Sequence, residues 1–299
     1  MLWLYIIIFA YLLFALANIG DKLVVSKYKT EPIAYAFYVG VLGITSVILI
    51  PLGVHWLKAE LYLLSFLAGT AFILAAYFMY CALSLGEASR AITLMGSSSP
   101  IFTFLLSLIF LQEKLLPNQL YAFIILVLAI LIISWEEKPI GKSKFNSKLI
   151  IFALLAGLLF SANYVLTRYL FGLETYFTIF FWTRIGGVLT AIIIYLFPKL
   201  RTLIIADWKK PKQKKGKLVL AIQITGGAGV MAQSYALKLA SATLVNALQA
   251  IQYASVFILA SFLGKKYPAL KEHVSRRQII RKIFAIMLVA VGLFLITLK

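Results

Sequence analysis

Residues 2–20 read LWLYIIIFAYLLFALANIG, a run without one charged side chain. A helix rises 1.5 Å per residue, so about 20 apolar residues cross the hydrocarbon core of a bilayer. No basic stretch precedes the run, and it ends in Asn18-Ile19-Gly20-Asp21-Lys22 rather than at a small-residue cleavage site. It reads as a retained span, not a cleaved leader. Similar runs recur at 33–50, 61–85, 92–111, 119–134, 149–168, 176–197, 218–237, 242–263 and 279–297. Together they predict an all-α integral membrane protein with ten transmembrane helices. The runs lack the period-two alternation of a membrane barrel.

Composition leads to the same class. Of 299 residues, 63% are hydrophobic and 13% charged, against about 45–50% and about 25% in a soluble domain. The formal net charge is +19. Lys and Arg collect in loops that face anionic headgroups, so membrane lipid, and not nucleic acid, is the partner this charge implies. The lone Cys81 lies in an apolar run and can form no internal disulfide. No pattern of metal ligands appears, and no cofactor is expected.

The loops give an orientation. Those after odd-numbered segments hold most of the 29 Lys and Arg, including six lysines between Lys209 and Lys217. Those after even-numbered segments hold Lys58, Lys114, Arg168 and Lys238. The positive-inside rule then places the odd loops in the cytoplasm and both termini outside, in a multi-pass protein of the plasma membrane. The longest link, Pro198 to Lys217, reads as a solvated loop.

The chain repeats itself. Phe14-Ala15-Leu16-Ala17-Asn18 resembles Phe160-Ser161-Ala162-Asn163, Ala82-Leu83-Ser84-Leu85 resembles Ala236-Leu237-Lys238-Leu239, and Phe110-Leu111-Gln112-Glu113-Lys114 resembles Phe262-Leu263-Gly264-Lys265-Lys266. The division is a first five-helix repeat over 2–134, a linker over 135–148 and a second repeat over 149–297. Five is odd, so the second half enters the membrane inverted, the architecture of many secondary transporters. With Leu83-Ser84-Leu85-Gly86-Glu87-Ala88, Ser97-Ser98-Ser99-Pro100 and the Phe110 to Lys114 close, the sequence resembles the EamA family of the drug/metabolite transporter superfamily. The resemblance implies a carrier of a small-molecule substrate such as an amino acid, metabolite or drug, coupled to a proton or an exchanged solute. The second half departs from the family pattern, with Lys265-Lys266 where a glutamate would fall.

Polar residues inside spans are the candidates for binding. Arg184 lies well inside the seventh segment; an ionisable group there faces a cavity or a partner. It reads either as a cation for a substrate carboxylate or phosphate, or as an arginine snorkelling to a headgroup. Asn18 and Asn163 hold equivalent places in the two halves, reaching a shared cavity or bonding a neighbouring helix. Asn246, Gln249 and Tyr253 follow i, i+3, i+7 spacing and share one face. Ser98 sits beside Pro100, and Tyr77, Tyr80 and Tyr164 could stack on a substrate.

No Asp or Glu lies near the centre of a span, and His55 and His273 fall in loops away from any carboxylate cluster. Acid–base or metal chemistry needs such groups within reach of one another, so an enzyme is not expected. The reading is a secondary transporter of a small polar or anionic metabolite, with a lipid or glycolipid flippase as the alternative.

Overall fold

Inside hydrocarbon a backbone N–H or C=O has no water to bond, so the chain must satisfy itself locally. The computed structural model describes residues 2–28, 30–85, 88–134, 147–209, 215–263 and 276–297, and among them the regular structure is helical throughout. The helices are α1 (Leu2–Tyr28), α2 (Pro32–Leu42), α3 (Ala59–Leu85), α4 (Ala88–Leu106), α5 (Pro117–Ser134), α6 (Ser147–Leu173), α7 (Tyr176–Leu196), α8 (Pro198–Trp208), α9 (Lys215–Leu239), α10 (Ala242–Ala247), α11 (Ala250–Leu263) and α12 (Arg276–Thr297). A 3-10 stretch, Gly43–Leu52, continues α2, and a π turn, Ser107–Leu111, continues α4.

Each of the ten expected segments overlaps one of these helices, a helix and its continuation or, for the ninth, two helices. Eight among the described residues are long and apolar enough to cross a membrane. The fifth, Pro117–Ile132, is apolar but shorter. The eighth, α9, is long enough at 25 residues, but Gln223, Gly226, Gly227, Gly229 and Gln233 dilute its hydropathy. Large apolar side chains such as Phe9, Ile48, Ile109 and Phe294 point outward, as they must where lipid is the solvent.

Two expectations change. Pro198 to Lys217 does not begin as a loop: its first part is α8. Pro198 fits the first helical turn, where its missing N–H costs nothing, and Ile204 packs with Ile33 and Ile194. Asp207 holds α8 to the start of α2, accepting from Glu31 N at 3.2 Å and Tyr38 Oη at 3.4 Å. The ninth segment is two helices, broken by a turn at Leu248 and Gln249. The linker over 135–148, apart from 147 and 148, lies outside the described residues, as do residues 210–214 and the Gly264-Lys265-Lys266 close.

Packing joins the two halves. α3 lies against α6 and α7, α1 against α9 and α11, and α5 against α12. The α3–α7 seam is made by glycine. A Cβ on Gly69 would overlap Gly187 N and Thr183 O, and one on Gly186 would stand 2.8 Å from Phe66 Cα and Ser65 O. Only backbones without side chains between them come that close.

Candidate functional site

A buried polar network lies between α1, α4, α6, α9 and α10. Tyr11 Oη donates to Val245 O. Gln233 Nε2 donates to Tyr164 Oη at 2.7 Å and lies 3.5 Å from Tyr11 Oη. Asn246 Nδ2 donates to Ser99 Oγ at 3.0 Å and to Thr103 Oγ1. Ser161 Oγ donates to Ser99 O and Gly157 O. Such bonds between helices are worth about 0.6 kcal/mol each in a bilayer, so the network orients five helices more than it glues them. Asn246 Oδ1, Gln249 Oε1, Gln252 Oε1 and Tyr253 Oη are enclosed without a hydrogen-bond partner. All four belong to the broken ninth segment.

Arg184 occupies a second place. It is nine residues into α7, about 12 Å from the helix start at 1.5 Å per residue. Its guanidinium lies 4.5 Å from the Phe72 ring centroid on α3 and 5.3 Å from that of Phe180 on α7. Phe160 of α6 stands edge-on to Phe72. Nε is enclosed and makes no hydrogen bond. Aromatic faces attract a cation by up to about 2 kcal/mol when water is excluded, well short of what a paired anion supplies. The guanidinium thus touches one ring from each half, Phe72 and Phe180, while the residue as a whole is half-buried.

The two ends of the bundle carry different polar ties. At the ends of α1 and α9 that meet the basic loops, Tyr35 Oη donates to Asp21 Oδ1, Gln223 Nε2 lies 3.4 Å from Tyr35 Oη, and Tyr35 packs on Tyr80 with centroids 4.5 Å apart. At the opposite end, His55 Nε2 pairs with Glu174 Oε2 at 2.8 Å, Thr178 Oγ1 lies 3.0 Å from His55 Nδ1, and Trp182 Nε1 donates to His55 O. The bond to Glu174, then that to Gly53 O, raises the pKa of His55 above its usual value. Beside it Arg168 Nε donates to Glu113 Oε1 at 3.3 Å, and Nη1 donates to Lys238 O at 2.7 Å and Leu237 O at 3.3 Å.

The expected residues do not all meet in one place. Tyr164, Asn246 and Tyr253 belong to the polar network or border it; Tyr253 packs its ring on Gly96. Asn163 bonds Ala68 O at 2.9 Å, which is a tie from α6 to α3. Ser98 Oγ turns back to Met95 O and fills the space beside Gly157. Tyr80 packs tilted against Tyr35, Tyr77 lies half-buried beside that cluster, and Asn18 is half-buried on α1. Gln249 stands at the break, with Oε1 enclosed. Arg184 stands apart with Phe72 and Phe180. The reading by sequence missed Tyr11, Phe72, Phe180 and the Asp21–Tyr35 pair. Among so many aromatics nothing marks these few, and Asp21 looked like a helix-end charge. Among the described residues no group of three or more His, Cys, Asp or Glu could hold a metal ion.

The model of the EamA-like transporter family matches residues 1–135 and 147–298. No curated protein matches the chain. A solved crystal structure matches over 99% of this chain and 95% of its own, with a TM-score of 0.66 at 16% identity. That likeness speaks for the fold alone.

Proposed function

Because the chain belongs to the EamA-like transporter family, we propose that it is a secondary carrier of a small polar or anionic metabolite, working by alternating access between two inverted five-helix halves. Ten spans make up the frame, α9 and α5 among them, with both termini outside the plasma membrane. The substrate meets residues of both halves near the midplane, drawn from Asn18, Tyr77, Tyr80, Ser98, Asn163, Tyr164, Arg184, Asn246, Gln249 and Tyr253.

The observation that carries this reading is an inequality. Counted by span, α3 on α7 is the third helix on the seventh. Its counterpart under exchange of halves is the eighth on the second, α9 on α2. The first seam is closed backbone to backbone at Gly69, Gly186 and Gly187. In the second, among the described residues, α2 and α9 meet through side chains at Tyr35 and Gln223, and a Cβ on Gly227 would meet nothing within 4 Å. The offset from Ala82 to Ala236 sets Gly227 at the place of Ile73, whose side chain lies against Gly187 and Gly40. Two related seams, one shut and one slack, are what a single state of an alternating carrier requires. By the loop charge, the slack end faces the cytoplasm.

The test is flux into liposomes from a panel of labelled amino acids, organic acids, sugars and drugs, with Gly227→Leu beside the wild type. A Cβ at Gly227 meets open space in the present state, so the variant's melting temperature should stay put. It obstructs closure of α9 on α2, so transport should fall at least tenfold. Undiminished transport by this variant would refute the exchange of seams. Flux of no solute by folded wild-type protein would refute the carrier reading.

A further inference from the structure

The geometry points to an organic monoanion with an apolar body, a monocarboxylate and not a zwitterionic amino acid, as the ligand of Arg184. This rests on the carrier reading and narrows its substrate.

The first part of the argument is the charge that is present. Nε of Arg184 is enclosed and bonds nothing, and the guanidinium lies against the faces of Phe72 and Phe180. A guanidinium offers parallel donors that match the two oxygens of a carboxylate. An isolated charge this deep is costly unless something of opposite sign visits it. Among the described residues, two other basic side chains within helices are engaged elsewhere. Arg168 pairs with Glu113 at the helix ends, and Lys282 lies over Phe257 early in α12. One cation at mid-depth suits a single negative charge better than a phosphate dianion.

The second part is the charge that is missing. An amino acid would bring an ammonium group, which in an apolar site calls for a carboxylate. Among the described residues, the acidic side chains near the spans have partners or stand on other elements. Asp21 accepts from Tyr35, Glu113 from Arg168, and Glu174 pairs with His55. Asp207 is on α8, and Glu31 and Glu60 stand at helix starts. The sequence places no Asp or Glu between residues 61 and 86 or between 175 and 206, the stretches that carry Phe72, Phe180 and Arg184.

The third part is the wall. Phe72, Phe180 and, behind Phe72, Phe160 give the site aromatic faces. They accept the flat or apolar remainder of an acid and offer nothing to hydroxyls. A sugar finds no match there. The crevice on the outer side of the α3–α7 seam, lined by Tyr62, Phe66, Trp182 and Leu189, is apolar and holds no cation, so it is not a rival place for the anion.

The experiment uses the full chain in liposomes with labelled benzoate as probe, and phenylalanine, acetate and inorganic phosphate as competitors. Saturable benzoate uptake is expected, with weak competition from phenylalanine and phosphate. Arg184→Gln should cut uptake at least tenfold, while Arg184→Lys, which keeps the charge and loses the fork, should retain part of it. Phe72→Leu should raise the half-saturating benzoate concentration several-fold, and melting temperatures in detergent check that each variant folds. Phenylalanine competing as well as unlabelled benzoate would overturn the inference and leave the carrier intact. Benzoate uptake unchanged in folded Arg184→Gln would do the same. Transport of other solutes without benzoate would also overturn it, whereas no transport of any solute would remove the carrier reading beneath it.

Discussion

Replacing Gly69 with alanine adds one carbon where α3 and α7 have no room. The new Cβ would overlap Gly187 N and Thr183 O, and would stand 2.7 Å from the carbonyl carbon of Gly186. Ordinary Cβ contact begins at 3.4 Å, so the helices must part by at least 0.7 Å there. The three nearest atoms are backbone, which cannot rotate away as a side chain would. Overpacking of this kind costs about 1–3 kcal/mol. Spent on the shut seam alone, that shifts the balance between shut and open by roughly 5- to 150-fold. The assay is the labelling rate of Ser65→Cys in a Cys81→Ala background, since Ser65 is enclosed in that seam with 1% exposure. Labelling should quicken by a factor in that range. Gly227→Ala is the control, because its Cβ meets open space. It should leave the rate unchanged and gain up to about 1 kcal/mol of helix propensity. If Gly69→Ala labels at the parent rate with an unchanged melting temperature, the seam is not what shuts this end.

The bridge between His55 and Glu174 should respond to pH. The raised pKa of His55 means that its contribution is fully present below the ordinary histidine value of about 6.5 and is lost as pH rises through the raised one. The melting-temperature gap between wild type and His55→Ala should therefore be widest in acid and close in alkali; a gap that grows with pH would contradict this. Tyr35→Phe removes the donor to Asp21 and leaves an enclosed carboxylate without it. It should destabilise by about 1–3 kcal/mol, and Tyr35→Phe with Asp21→Asn should recover part of the loss, as measured by thermal unfolding in detergent.

Run length against bilayer thickness made the helices legible, because no other solvent suits nineteen uncharged residues such as 2–20. The same reasoning could not see α8, whose short apolar face is Leu200, Leu203 and Ile204 among charges. It could not see the break at Leu248 and Gln249 either, since neither residue is a helix breaker by type. In the candidate site, periodicity predicts that Asn246, Gln249 and Tyr253 share a face of one helix, but the break at Leu248 and Gln249 puts Asn246 and Tyr253 on two helices with Gln249 between them. Which helix that face meets depends on long-range packing, and the answer is α4, at Ser99, Thr103 and Gly96. Asn163 was legible as a polar group in a span, but only the fold shows it spent on Ala68 O. Arg184 announced itself by cost alone. Its partners Phe72 and Phe180 are two phenylalanines among 22, and no local pattern selects them.

On the alternating-access reading, the position of Arg184 links recognition to motion. Phe72 belongs to α3 and Phe180 to α7, so the guanidinium sits beside the seam that Gly69, Gly186 and Gly187 close. When α3 withdraws from α7, Phe72 withdraws with it, and the cation loses one of its two aromatic faces. An anion that arrives then replaces a contact worth up to about 2 kcal/mol with a charge-assisted pair. A ligand shifts a conformational balance only by its difference in affinity between the two states. On the alternating-access reading, the Phe72–Arg184 contact supplies that difference, because it holds the seam shut and yields to a carboxylate. Phe72→Leu should thus act in two ways at once: weaker holding of the shut seam, read as faster labelling at Ser65→Cys, and a smaller further increase on adding the anion. A variant that labels at the parent rate with and without benzoate would show that the ring and the seam are not coupled.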